Sequence, residues 1–190
     1  MSLLLYLHGF NSSPDSQKAR ISADWFAEYV PDIEFFCPQL PPFANAAMHQ
    51  LRALMEDNRD RSIYLIGSSM GGFFATYLIE HYGHRGVLIN PAVNPALGMD
   101  RYIGTNIHFH SGDEWRFEPH HVEEYRRWDR PIIVDKRRYH VLLQTGDEVL
   151  DYRHAEARYR GCSMIVEQGG DHSFINFADH LGDIYRFLMA

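Results

Sequence analysis

Cysteine is scarce: the 190 residues hold two, Cys37 and Cys162. No pair stands at metal-ligand or redox-motif spacing, and a disulfide framework is excluded, which fits a reducing compartment. Positive charge is also short. Eighteen Lys and Arg face twenty-five Asp and Glu, for a net charge of −7. A nucleic-acid or anionic-membrane binder needs a basic field, so neither partner is expected. Long apolar runs are missing too. The run Leu3 to Leu7 falls far below the ~20 residues of a membrane helix. No basic residue precedes it and no small-residue cleavage site follows, so it does not read as a signal peptide. The expected location is cytoplasmic.

What is present is ordinary for a globular chain: 45% hydrophobic and 23% charged residues over a length that suggests one domain, 1–190. Short continuous apolar runs recur at Leu3–Leu7, Ile33–Phe36, Ile63–Ile66, Val87–Ile89, Val141–Leu143 and Met164–Val166. Strands buried on both faces of a parallel sheet have this character. Ile132–Val134 is a possible seventh. Helical patterns lie between the runs. One follows a cap expected at Ser13-Pro14, and others span 44–58, 69–82, 151–160 and 174–189. The third is apolar nearly all round and stops at Gly83, as a left-handed cap would. Alternating strands and helices predict an α/β domain of about six mainly parallel strands with helices on both faces. Residues 91–138 break the rhythm and read as a cap-like insertion over the sheet, with a helix at 119–129.

Gly67-Ser68-Ser69-Met70-Gly71 has the G-x-S-x-G pattern, and it lies where an expected strand meets a helix. That context is a nucleophile elbow, a tight turn that lifts the Ser69 hydroxyl clear of the sheet. A phosphate loop does not fit, because no Lys-Ser/Thr pair follows. A dinucleotide fingerprint does not fit either, because the glycines fall at 67, 71 and 72. Tyr6-Leu7-His8-Gly9-Phe10 ends the first strand. A tetrahedral oxyanion needs two placed donors, and the Met70 and Phe10 N–H groups are the candidates. Asn11 follows in the same loop and is a candidate substrate contact. In the chain order nucleophile, acid, base, the base is His172. Of the histidines after the fifth strand, His154 and His180 fall in helical patterns. Asp147 is favoured as the acid because it directly follows the Gly146 turn. Asp151, which looks like a helix N-cap, and Glu148 are the alternatives.

Other clusters invite simpler readings. His108, His110, His120 and His121 lack a carboxylate or Cys pattern, so no metal is expected. The basic residues between Arg126 and Arg138 read as a solvated face. The aromatic residues His108, Phe109, Trp115, Phe117, Tyr125 and Trp128 of the insertion could shield an ester. Trp115 and Phe117 are the candidate pocket walls.

The segments YLHGFNSSP, PQLPP, GSSMGG, NPAVNP, QTGDEVLDY and GGDHSF together resemble the YqiA-like family of small bacterial esterases, within the α/β-hydrolase superfamily. The similarity runs from the N-terminus to at least residue 180. It implies a trimmed hydrolase fold that begins at the superfamily's third strand. Asp147-Glu148-Val149-Leu150-Asp151-Tyr152 is similar to the superfamily's D-E-V-V-P-Y acid motif, which implies Asp147 as the acid. Asp171 stands where the resemblance leads one to expect Asn. The expectation is a serine esterase or thioesterase that acts on a small-molecule substrate with short to medium acyl chains. It would work through an acyl-enzyme, without cofactor. The alternatives are an acyltransferase or small peptidase with the same residues, or a non-catalytic binding protein on the same fold.

Overall fold

The computed structural model describes residues 2–108 and 112–190. The N-terminal apolar run forms β1 (Ser2–Leu7), flanked by β2 (Ile33–Phe36) and β3 (Ile63–Ser68). Beyond β3 lies β4 (Arg85–Ile89). Two further strands follow in the chain, the short β5 (Gly104–Ile107) and β6 (Glu114–Phe117), which pair antiparallel with each other. Then come β7 (Tyr139–Gln144) and β8 (Ser163–Glu167). The main sheet has the order β2-β1-β3-β4-β7-β8, and every pair is parallel.

Side-chain alternation explains why the strand runs are continuous. Leu3, Leu5 and Leu7 enter one apolar layer with α2 (Ala44–Asp57) and α3 (Met70–Tyr82). Leu4 and Tyr6 enter the other, with α1 (Gln17–Tyr29) and α6 (Leu181–Met189). Both faces are covered, so neither parity of β1 can be polar. After β1 the chain pairs β2 on one side of it and β3 on the other. That makes the β1/β3 boundary a switch point, where the carboxyl ends of the strands open a crevice.

Three sequence expectations need correction. Ile132–Val134 forms no strand: Ile132 and Val134 are exposed and only Ile133 is buried. The edge of β4 that a seventh strand would need is occupied by β7. The first helix starts at Gln17, because Ser13 closes a turn instead. Its hydroxyl accepts from Asp15 N–H at 3.2 Å and its carbonyl from Ser16 N–H at 3.1 Å. The last helix starts at Leu181 rather than Phe174. Phe174 and Asn176 both have φ 62, a left-handed conformation that a right-handed helix cannot include.

Residues 91–138 leave the carboxyl end of β4. They contain the β5–β6 hairpin, which periodicity did not reveal, and α4 (Pro119–Trp128) at the expected place. α4 docks on the α2/α3 layer. The Tyr125 hydroxyl donates to the Pro42 carbonyl at 2.9 Å, and Trp128 Nε1 donates to Asn45 Oδ1 at 2.8 Å. No described helix is long and apolar enough to cross a membrane.

Phe26 is fully buried among Trp25, Phe35 and Tyr185. Phe26→Ala is expected to cost about 3–5 kcal/mol in urea unfolding, the range for a truncated core aromatic. Tyr29→Ala, on the same helix but exposed, should cost less than about 1 kcal/mol.

Candidate active site

The site begins with backbone crowding. Ser69 sits between β3 and α3 at φ 55, ψ −119, strained for a residue with a side chain. Its N–H donates to the Ile89 carbonyl at 3.0 Å, and its carbonyl accepts from Gly72 and Ala92 N–H, both at 2.9 Å. A turn this tight leaves no room beneath it. A Cβ on Gly67 would stand 2.5 Å from the Gly71 carbonyl oxygen, and one on Gly71 would overlap the Leu7 carbonyl. The glycines of the motif are therefore required by close approach.

The turn after β7 and the loop after β8 bring two more groups to Ser69. His172 Nε2 lies 2.9 Å from Ser69 Oγ. His172 Nδ1 lies 2.9 and 2.8 Å from the two oxygens of Asp147. An ionised carboxylate only accepts, so Nδ1 carries the proton and Nε2 offers its lone pair to the serine hydroxyl. The Asp147 side chain is 2% exposed, and its Oδ1 also accepts from Val149 N–H at 2.9 Å and Leu150 N–H at 2.8 Å. The two rival carboxylates have other partners. Asp151 caps α5 (Tyr152–Arg158) and binds the Arg153 guanidinium, which holds its pKa down at about 2. Glu148 accepts from the His172 backbone N–H at 3.0 Å, and backbone hydrogen bonds depress its pKa.

Two buried amides that sequence reasoning passed over hold the His172 loop. Asn90, at the end of β4, donates through Nδ2 to the Asp171 and His172 carbonyls at 3.1 and 3.3 Å. Its Oδ1 accepts from Gln144 N–H at 3.0 Å. Gln144 Oε1 accepts from Asp171 N–H at 3.1 Å and Ile175 N–H at 2.9 Å, and its Nε2 donates to Glu167 and the Ile175 carbonyl. A polar residue closing each of two apolar strands, in NPAVNP and QTGDEV, was the available signal.

The loop after β1 passes directly over the serine. A Cβ on Gly9 would stand 3.4 Å from Ser69 Cβ. Buried His8 braces this loop: its Nδ1 bonds the Gly9 carbonyl at 2.8 Å, and its Nε2 accepts from Leu40 N–H at 3.0 Å. Met70 opens α3, where an N–H has no acceptor inside the helix. The Phe10 ring packs on Tyr102, with centroids 4.8 Å apart. A cavity of about 610 Å³ opens at Ser69, bounded by Phe10, Val93, Leu97, Met99, Tyr102 and Leu150 among others. The expected pocket residues Trp115 and Phe117 lie elsewhere. Both pack behind Phe10, at 5.7 and 6.3 Å, and Phe117 is fully buried. They support the wall without forming it. Asn11 Nδ2 donates to the Ile107 carbonyl at 2.9 Å and ties the loop to the β5–β6 hairpin. The expectations at Phe109 and His110 lie outside the described residues.

His120, His121 and Glu124 bring three candidate metal-binding atoms within 4.8 Å of one another. Two of these residues are already engaged. His121 Nδ1 accepts from Glu118 N–H at 2.9 Å, which leaves the ring proton on Nε2. Glu124 Oε2 accepts from Asn45 N–H at 2.9 Å. The cluster therefore reads as the junction of α4 with α2.

Asn90→Ala would strip partners from two part-buried carbonyls and one buried N–H. A loss of about 1–3 kcal/mol is expected by urea unfolding. Gln144→Ala should cost a similar amount, and the double variant less than the sum, because the two share one network.

Comparison with known proteins places this geometry in context. Residues 3–189 match the family described as "Uncharacterised protein family (UPF0227)". A UPF0227 protein of Serratia proteamaculans (strain 568) is 26% identical over 190 residues, spanning 97% of this chain and 98% of its own. Among solved structures, Est1E from Butyrivibrio proteoclasticus, with ferulic acid bound, superposes with TM-score 0.76 at 12% identity. The match covers 100% of this chain and 88% of that one. Mouse alpha/beta hydrolase domain-containing protein 10 superposes with TM-score 0.75 at 12% identity, covering 98% of this chain and 90% of that one. The six-stranded parallel sheet flanked by helices is thus a trimmed α/β-hydrolase fold. With the family match running from β1 to the end of α6, the chain belongs to the UPF0227, or YqiA-like, family.

Proposed function

We propose that this chain is a serine hydrolase that cleaves carboxylic esters or thioesters of short to medium acyl chains. The observation that carries the reading is the unbroken chain Ser69 Oγ–His172 Nε2 and His172 Nδ1–Asp147, at 2.9 and 2.8 Å. In this reading Ser69 Oγ attacks the carbonyl carbon while His172 Nε2 takes its proton. Asp147 holds the ring in the right tautomer and stabilises the imidazolium, remaining ionised throughout. The oxyanion is held by the Phe10 and Met70 N–H groups, with the dipole of α3 behind Met70 adding positive potential. His172 then protonates the leaving alcohol or thiol. Water, deprotonated by the same nitrogen, hydrolyses the acyl-enzyme. Every step is a proton transfer or an acyl transfer between atoms of this chain, substrate and water, so the reading needs no cofactor.

Substrate size follows from the cavity. A volume of about 610 Å³ lies within the ordinary range for small-ligand sites, about 300–1,000 Å³. Its walls come from the β1 loop, the amino end of α1, residues 92–102, residues 149–154 and the His172-Ser173 loop. Residues 91–138 then act as a cap on a single 1–190 unit. Their first third shapes the acyl pocket, and Trp115 and Phe117 stiffen Phe10 from behind.

A fluorophosphonate should add one covalent adduct by intact mass on the wild-type chain and none on Ser69→Ala. Ser69→Ala should lower kcat on 4-nitrophenyl butyrate by about 10⁶. Equal turnover by the two proteins would overturn the reading.

Asp147→Asn should lower kcat by about 10⁴, through the wrong ring tautomer. Asp151→Asn should retain most activity, because Asn also caps helices. Steady-state kinetics of the pair checks the assignment of the acid.

A further inference from the structure

One half-buried cation has no part in that mechanism. Lys18 lies in the first turn of α1 and lines the cavity with Ser69 and His172. Its Nζ donates to the Ser173 carbonyl at 2.8 Å, one residue beyond the base. An ammonium has three protons to donate, and among the described residues this is its one hydrogen bond. Burial pulls the Lys18 pKa down, while the fields of Asp171 and then Asp147 push it back up. Asp147 is engaged by His172 and two backbone N–H groups. Asp171, whose Oδ1 is buried without a hydrogen-bond partner, supplies the larger of these two opposing fields.

Three more features of the same cavity favour an anion. Tyr6 lines it, and its buried hydroxyl stands beside Ser68 with no other hydrogen-bond partner among the described residues. Such a group costs free energy unless something pairs with it. The amino end of α1 faces the cavity through Ser16, Gln17 and Lys18. Ser16 makes no side-chain cap, and the first turn holds no acidic residue. Its free N–H groups and dipole favour negative charge. Finally, the charged Lys and Arg in the lining are Lys18 and Arg101, and the one acidic residue, Asp151, is held by Arg153. The lining thus carries two cations against one paired carboxylate, with Asp147 and Asp171 behind it.

We propose that this cavity selects esters bearing a second, anionic group, a carboxylate, which Lys18 and the Tyr6 hydroxyl bind beside the scissile ester. The inference rests on the serine-hydrolase reading and names its substrate class. Lys18 is then a specificity-determining residue. Its charge acts on the bound substrate equally before and during reaction, so its effect belongs in KM rather than kcat.

The test compares esters at constant pH by titration. Monoethyl glutarate carries the carboxylate on the acyl side, butyryloxyacetate carries it on the leaving-group side, and ethyl valerate is the neutral reference. At least one charged ester should show a kcat/KM about tenfold or more above ethyl valerate, mainly through KM. Which one does identifies the side. Lys18→Met should reduce that ratio about tenfold, and Lys18→Arg should retain most of it. If Lys18→Met does not fold, Tyr6→Phe, which removes only a hydroxyl, should reduce the same ratio severalfold. Ser69-dependent hydrolysis of ethyl valerate with no preference for either charged ester would overturn the anion site and leave the hydrolase reading standing. A preference that persists undiminished in Lys18→Met and Tyr6→Phe would overturn it as well. Without Ser69-dependent turnover of any ester, the hydrolase reading fails and the anion site falls with it.

Discussion

Ser69 is held at φ 55 by a turn so tight that Gly67 and Gly71 must press backbone against backbone. The turn places a hydroxyl at the carboxyl end of the sheet, under the Gly9 loop and within hydrogen-bond reach of His172. It is stable because its polar groups are paired at once with neighbouring strands. Ser69 N–H reaches β4 through Ile89, and its carbonyl anchors both Gly72 and Ala92. The strain of one residue is thus offset by four elements that meet there: β1, β3, β4 and α3. Moving any of them would move the serine.

His172 is positioned by a different device. His172 lies on a loop, and loops hold their shape only where their backbone groups are satisfied. Asn90 and Gln144 supply that satisfaction from the ends of the rigid strands β4 and β7. The left-handed Phe174 then turns the chain away before the last helix can begin. Ser69, Asp147 and His172 therefore come from three strand ends of one sheet. Their separation depends on strand spacing more than on loop flexibility.

The cavity wall is an aromatic stack that grows outward from Phe10. Tyr102 touches Phe10 directly, and Trp115 and Phe117 follow from the β5–β6 hairpin. Tyr125 carries the stack on to Phe73 and Phe74 of α3, the helix that follows Ser69. The insertion is thereby coupled to the elbow through packed rings. This is why residues that never reach the cavity can still fix its width.

The local determinants were legible in the chain itself. Six apolar runs became six parallel strands; in the central four, β1, β3, β4 and β7, both faces are buried and burial leaves its mark along the run, whereas the edge strands β2 and β8 are only half-buried. The Gly-Ser-Gly turn, the His8-Gly9 loop, Asp147 and His172 could be named because each is set by a turn or a strand end. Turn chemistry is local. Tertiary structure alone decided the rest. That Asp147 faces the imidazole while Asp151 folds back on Arg153 depends on how the turn after β7 packs against the loop after β8. That Trp115 and Phe117 stand behind Phe10 depends on a hairpin whose short strands carry too little periodicity to be read. Lys18, Asn90 and Gln144 are distant in sequence from the residues they serve. Only the sheet order brings them together, because contacts across a fold have no signature in the spacing of a single chain.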